Sequence, residues 1–167
     1  MLIAAIHWKR CIKTAMFGTE IMRVLLDNNA TKHVDIAISS IDEKIEPVSS
    51  YPAARVINTA EAKKPGQHWV GAYITESTTC FFDSYGFPPL EETYKKLLEI
   101  STSPIVYNKK CVQSLFTSSC GAFVACFVYC LSNGYSFDRF LNLFDSDLQA
   151  NEKIIERFYR VLYRNDV

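Results

Sequence analysis

Two periods of apolar residues run through this chain. Short β-branched runs mark strands: VDIAIS (Val34 to Ser39) and ARVINT (Ala54 to Thr59) are the first two. HWVGAYIT and TCFFDSYG follow as a hairpin joined through Glu76, Ser77 and Thr78, and PIVYN (Pro104 to Asn108) is a fifth short strand. Around them the period lengthens to that of helices. GTEIMRVLLDNN (Gly18 to Asn29) predicts a helix capped by Thr19, with Met22, Leu25 and Leu26 on its apolar face. Pro88 and Pro89 introduce LEETYKKLLEI, whose Leu90, Tyr94, Leu97 and Leu98 fall at i, i+4, i+7 and i+8. A strongly apolar helix runs from about Cys120 to a C-cap at Asn133-Gly134. SFDRFLNLF sets Phe137, Phe140, Leu141 and Phe144 at helical spacing. A last helix, about Leu148 to Arg164, buries Ile154, Ile155, Phe158, Val161 and Leu162. KKPGQ (Lys63 to Gln67) is a loop. The pattern predicts an α+β fold with a central mixed sheet flanked by helices.

Composition narrows the class. The 167 residues are 49% hydrophobic, enough for one well-buried domain. Lys plus Arg and Asp plus Glu balance at 18 each, so no basic excess points to tight nucleic-acid binding. The longest apolar run, Cys120 to Leu131, is well short of the ~20 residues a membrane-spanning helix needs. Residues 1–18 are basic without an acid, with Lys9 and Arg10 following the apolar run where a secretory signal puts its charge first. They read as an extension of uncertain role before a single domain, 19–167. The expected location is intracellular, in cytoplasm or nucleus or in a virion, where thiols stay reduced.

Four of six cysteines crowd into CVQSLFTSSCGAFVACFVYCL (Cys111 to Leu131). The gaps between them, eight, five and three residues, do not form the matched close pairs of a structural zinc site. Cys126 and Cys130, one helical turn apart, are poorly placed for a disulfide and read as small core residues. Cys120 differs. TSSCG places it at the first turn of the apolar helix, where free N–H groups and the positive dipole end favour a thiolate. It is either a nucleophile or one more buried thiol.

A thiolate hydrolase needs a histidine as base and acid, an orienting acid and oxyanion donors. Of His7, His33 and His68, the last opens a strand whose hairpin partner carries Asp83 in CFFDSYG. A carboxylate after two aromatics calls for a partner. His7 has no acid nearby, and His33 sits in the polar loop NNATKH; both read as surface residues. Gln113, seven residues before Cys120, can join the Cys120 backbone N–H as an oxyanion donor.

The ordered set resembles the adenovirus-type (adenain-like) cysteine proteases and, more broadly, the ubiquitin-like-protein-processing cysteine proteases. YPAARVINTA, GQHWVGAY, TCFFDSYGF and QSLFTSSCGAFVACF carry the likeness, over about half the chain from Tyr51 to Leu131. The resemblance implies a papain-like architecture in adenain-type chain order. It implies His68 as general base and acid, Asp83 as its orienter, Gln113 as oxyanion donor and Cys120 as nucleophile. Trp69 is a wall of the substrate site or a core residue, and Gly121 lets substrate approach. The implied substrates are proteins cut at Gly-Gly or Gly-X sites: capsid or virion precursors, or alternatively a ubiquitin-like modifier precursor. An inactive homologue that binds partners is the non-enzymatic alternative. Two departures stand out. The adenoviral enzymes usually carry glutamate where Asp83 stands. Thr102 lies near the place of the cysteine that bridges to their activating peptide, and Cys111 does not match it. The expectation is therefore no metal and no cofactor, with no support from charge or cysteine placement for a peptide or DNA activator.

Overall fold

The computed structural model of the protein describes residues 18–64 and 68–164. Among these, five strands form one sheet in sequence order: β1 (Asp35–Ser40), β2 (Ala53–Asn58), β3 (Trp69–Ile74), β4 (Thr79–Phe82) and β5 (Ile105–Tyr107). The outer pairs, β1–β2 and β4–β5, are parallel, and the inner pairs β2–β3 and β3–β4 are antiparallel. The β3–β4 hairpin closes through Thr75 to Thr78, where the Thr75 N–H donates to the Thr78 carbonyl at 2.9 Å. The helices are α1 (Gly18–Leu26), α2 (Glu91–Ile100), α3 (Cys120–Ser132), α4 (Phe137–Leu141) and α5 (Leu148–Arg164). The expected α+β class and the mixed sheet with flanking helices are what the chain forms.

The two faces of the sheet are unequal. Trp69 and Tyr73 belong to the main core with Phe123, Val124, Phe127 and Val128 of α3. The intervening Val70, Ala72 and Ile74 join a smaller cluster with Leu97 of α2. This is the period-2 alternation of a central strand. Each fully buried phenylalanine or valine on α3 contributes on the order of 1.5–3 kcal/mol of transfer free energy, so α3 is the best-anchored helix. Gly71 lets it sit close. A Cβ there would meet Val124 Cγ1 at 3.0 Å and Phe127 Cδ1 at 3.2 Å. On the smaller face, Arg55 is 1% exposed, yet its guanidinium donates to the carbonyls of Asp35, Glu46, Pro47 and Ala54 and pairs with Asp35 at 3.0 Å.

Three helix faces differ from the expected ones. In α1, Ile21, Val24 and Leu25 are buried and Leu26 is exposed. In α2, Thr93 and Leu97 are buried, whereas Leu90, Tyr94 and Leu98 are about half exposed. In α5, Ile155 is buried and Ile154 and Phe158 pack half-buried against the same core, as expected, but Asn151 and Tyr159 are buried with them and Val161 is exposed. The cause is shared: a helix buries the stripe its docking partner reaches, not the stripe with the most carbon. Asn151 and Thr93 displace larger residues for that reason. Of α5, the Leu162 side chain lies outside the described residues.

Candidate active site

His68 directly precedes β3 and Asp83 directly follows β4. The antiparallel register, with Gly71 opposite Phe82, brings both to the same end of the hairpin. There His68 Nε2 meets Asp83 Oδ1 at 3.0 Å, with side-chain exposures of 15% and 8%. The segment after β4 serves this pair three times. The Tyr85 N–H donates to Asp83 Oδ1 at 2.7 Å, and the Tyr85 ring stacks on the imidazole at 4.7 Å. The Gly86 N–H donates to the Asp83 carbonyl at 2.8 Å, closing a tight turn. Gly86 has φ +79°, and a Cβ there would meet the Lys110 carbonyl carbon at 2.9 Å, so glycine fits on both counts.

Asn108, at the end of β5, clamps Asp83 from the other side. Its Oδ1 accepts from the Asp83 N–H at 3.0 Å and its Nδ2 donates to the Asp83 carbonyl at 2.7 Å. Sequence reasoning passed over Asn108. A buried asparagine at a strand end is a weak signal, and its partner lies 25 residues away.

Burial alone would depress the basicity of His68. The hydrogen bond to Asp83, the neighbouring Cys120 and their charges outweigh it and lift the imidazole to about 9. With Nε2 committed to Asp83, Nδ1 is the nitrogen left for chemistry. It is buried and has no hydrogen-bond partner among the described residues.

Cys120 is the first residue of α3 and is 5% exposed. Ser119 occupies the N-cap position, but its side chain does not cap the helix. Gly121 is buried in the first turn. Gln113 is fully buried, and its amide bridges two segments. Oε1 accepts from the Ser84 hydroxyl at 2.6 Å, beside Asp83. Nε2 donates to the Thr117 carbonyl at 3.1 Å and lies 3.4 Å from Thr117 Oγ1. A carbonyl partner fixes which end is nitrogen. One N–H is thus engaged, and the second has a longer and weaker partner. The Ser84 carbonyl also accepts from the N–H groups of Val112 and Gln113 at 2.8 and 3.1 Å.

The remaining sequence candidates fall elsewhere. Trp69 is 7% exposed and part of the main core, which is the second of its two readings. His33 is exposed, and His7 lies outside the described residues. Cys126 and Cys130 are unbridged, with sulfurs 4.0 Å apart. Their hydrogen bond and burial push Cys126 up. Burial and the charge of Asp138 push Cys80 up to about 11. A cleft of about 210 Å³ borders His68 and Asp83, floored by Val70 and Phe81 and rimmed by Phe87 and Leu90. Its floor belongs to the α2 face of the sheet, and Cys120 does not line it.

No family model matches the chain, and no curated protein matches it. Among solved structures it is similar to the ASFV pS273R protease, with a TM-score of 0.58 and 15% identity over 85% of this chain and 67% of that one. A second crystal structure of that protease gives 0.57 and 12% identity, with 85% and 66% covered. ChlaDub1 from Chlamydia trachomatis follows at 0.48 and 16%, covering 66% of this chain and 58% of that one. At such identities the likeness to the ASFV enzyme is one of fold. The shared fold is the α+β arrangement of a mixed sheet flanked by helices. The chain spans about two thirds of the length of that protease.

Proposed function

We propose that the chain is an adenain-like cysteine endopeptidase that processes capsid or virion precursor proteins at Gly-Gly or Gly-X sites. The observation that carries this reading is the commitment of His68 Nε2 to Asp83, which leaves a buried Nδ1 without a partner on a ring whose basicity Cys120, at the α3 N-terminus, also raises. In the proposed reaction Nδ1 takes the thiol proton, and the Cys120 sulfur bonds the scissile carbonyl carbon. The carbonyl π pair moves to oxygen, which the Cys120 backbone N–H and the second Gln113 N–H receive. The imidazolium then protonates the leaving amine, and an acyl-enzyme forms. Water adds to it with Nδ1 as base and expels the thiolate. Asp83 keeps the ring oriented and stabilises its cation, and Gly121 leaves room for the substrate backbone. A free-thiol nucleophile suits a reducing, intracellular setting.

Asp83 favours one second reading, a cellular protease for a ubiquitin-like modifier, since those relatives carry aspartate at the orienting position. The test is cleavage of a Leu-X-Gly-Gly reporter, a capsid-precursor peptide and a modifier precursor, each by wild type and Cys120→Ala. The expected result is cleavage of the reporter and capsid peptide, reduced by roughly 10⁴-fold or more in the folded variant. Equal rates in wild type and variant would sink the nucleophile. Cleavage of the modifier precursor alone would move the chain to the second reading.

A further inference from the structure

The loop from Ser114 to Ser119 has little apolar anchorage. Leu115 is 74% and Phe116 96% exposed, so the tip contributes no packing to hold the loop in place. Its fixed points are polar: a turn from the Thr117 N–H to the Ser114 carbonyl at 3.2 Å, and three bonds that converge on one carboxylate of α5. Glu152 Oε1 accepts from the Ser114 N–H at 3.2 Å and from the Thr117 hydroxyl at 2.7 Å. Glu152 Oε2 accepts from the Ser119 hydroxyl at 2.7 Å. The preceding residue, Asn151, is fully buried and donates to the Val112 carbonyl at 3.0 Å, just upstream of the loop.

Two consequences follow for the oxyanion donors. Thr117, held by Glu152, is the residue whose carbonyl takes one Gln113 N–H, so the carboxylate sets the Gln113 amide at one remove. Ser119 stands at the N-cap, where a serine hydroxyl ordinarily accepts from a first-turn N–H. Here that hydroxyl points to Glu152, and no side-chain cap competes with an oxyanion for the donors at the helix start.

We propose that Glu152 is the positioning residue of the oxyanion loop, placing the Gln113 amide through Thr117 and drawing Ser119 off the α3 N-terminus. This rests on the protease reading. It assigns to the C-terminal helix a part in turnover that does not pass through the His68–Asp83 pair.

The test compares wild type, Glu152→Ala and Glu152→Gln in the full chain. Alanine removes both acceptor oxygens and with them all three hydrogen bonds. Glutamine keeps one acceptor oxygen, and its amide can donate to a Ser119 hydroxyl that turns to accept. Three readouts separate the roles. Turnover of the Leu-X-Gly-Gly reporter gives kcat and KM. A glycyl-glycinal peptide reports the oxyanion site: the Cys120 sulfur bonds the aldehyde carbon, and the former carbonyl oxygen takes the proton from His68. Iodoacetamide alkylation of Cys120 reports the thiol and imidazole without an oxyanion. For Glu152→Ala the expected result is a ~100-fold lower kcat with KM within about twofold, a parallel loss of aldehyde affinity and near-wild-type alkylation. Glu152→Gln should recover most of both losses. Unchanged kcat and aldehyde affinity in the alanine variant would overturn the proposal, as would alkylation falling in step with them. A wild type that neither cleaves nor binds the aldehyde would overturn the protease reading itself. The clamp would then stand or fall on hydrogen exchange of residues 114–119, faster in Glu152→Ala if the carboxylate holds the loop and unchanged if it does not.

Discussion

The two halves of the candidate site are built in different ways. The His68–Asp83 half comes from one hairpin and the turn after it. Backbone pairing sets the distance, the Tyr85 N–H and ring fix the two side chains, and Gly86 closes the turn. The Cys120–Gln113 half is assembled from a loop and a helix N-terminus held by side chains from elsewhere: Ser84 after β4 and Asn151 and Glu152 on α5. A hairpin fixes its own geometry by hydrogen bonds between near neighbours. The loop with the exposed Leu115–Phe116 tip has only a single turn of its own, Thr117 N–H to the Ser114 carbonyl, and takes the rest of its frame from α5. The two halves should therefore fail differently when perturbed.

Short of removing the Cys120 thiol itself, the largest expected break is in the first half. Asp83→Asn keeps the shape of the side chain and removes its charge, so the protein should fold while turnover drops by ~10³-fold. The pH dependence gives the cause. His68 is lifted to about 9 largely through Asp83, so the alkaline limb of wild-type activity should fall near pH 9 and move toward 6.5 in the variant. Stability should follow the same group. A raised folded-state value means the stabilisation is fully present below about pH 6.5 and lost as pH rises through about 9. The melting-temperature gap between wild type and Asp83→Asn should thus be widest at low pH and narrow above pH 9. A gap that widens at high pH would remove His68 as its source.

Next comes the support behind that pair. Asn108→Ala strips the donor and acceptor that hold both backbone groups of Asp83. With the Asp83 N–H left buried and unpaired and its carbonyl keeping only the Gly86 N–H, the loss should be on the order of 1–3 kcal/mol in denaturant unfolding, together with lower kcat. A stable variant with wild-type kcat would show that the Asp83–Gly86 turn holds itself.

The smallest effect is expected at the seam between the halves. Gly71→Ala puts a methyl 3.0 Å from Val124 on α3, between the strand that follows His68 and the helix that begins at Cys120. The expected cost is about 1–3 kcal/mol of stability, from the shift α3 must make. If α3 moves as a body, kcat should fall further than stability predicts, since Cys120 moves relative to His68. A stability loss with kcat intact would mean that Val124 alone gives way.

Much of this was legible in the chain as written. Strand and helix periods are local, so five strands are expected close to where they occur, save that the fourth ends at Phe82 and Asp83 to Gly86 form a turn, and the apolar run after Cys120 marks the central helix. The residues of the His68–Asp83 half lie in one hairpin, and GQHWVGAY and TCFFDSYG announce them together because pairing distance there is fixed by nearest-neighbour register. What the sequence could not determine is which side chains meet across long separations. Nothing local links Asn108 to Asp83 or Glu152 to Ser119, 33 residues away, because each contact depends on how two separately formed elements dock. The buried stripes of α1, α2 and α5 were decided at the same stage. Hydrophobic period proposes a face, and docking against a sheet already formed chooses among faces of similar apolar content. The tertiary structure therefore decided that a glutamate on the last helix would hold the loop before Cys120, and that Trp69, next to His68 in the chain, would end in the core.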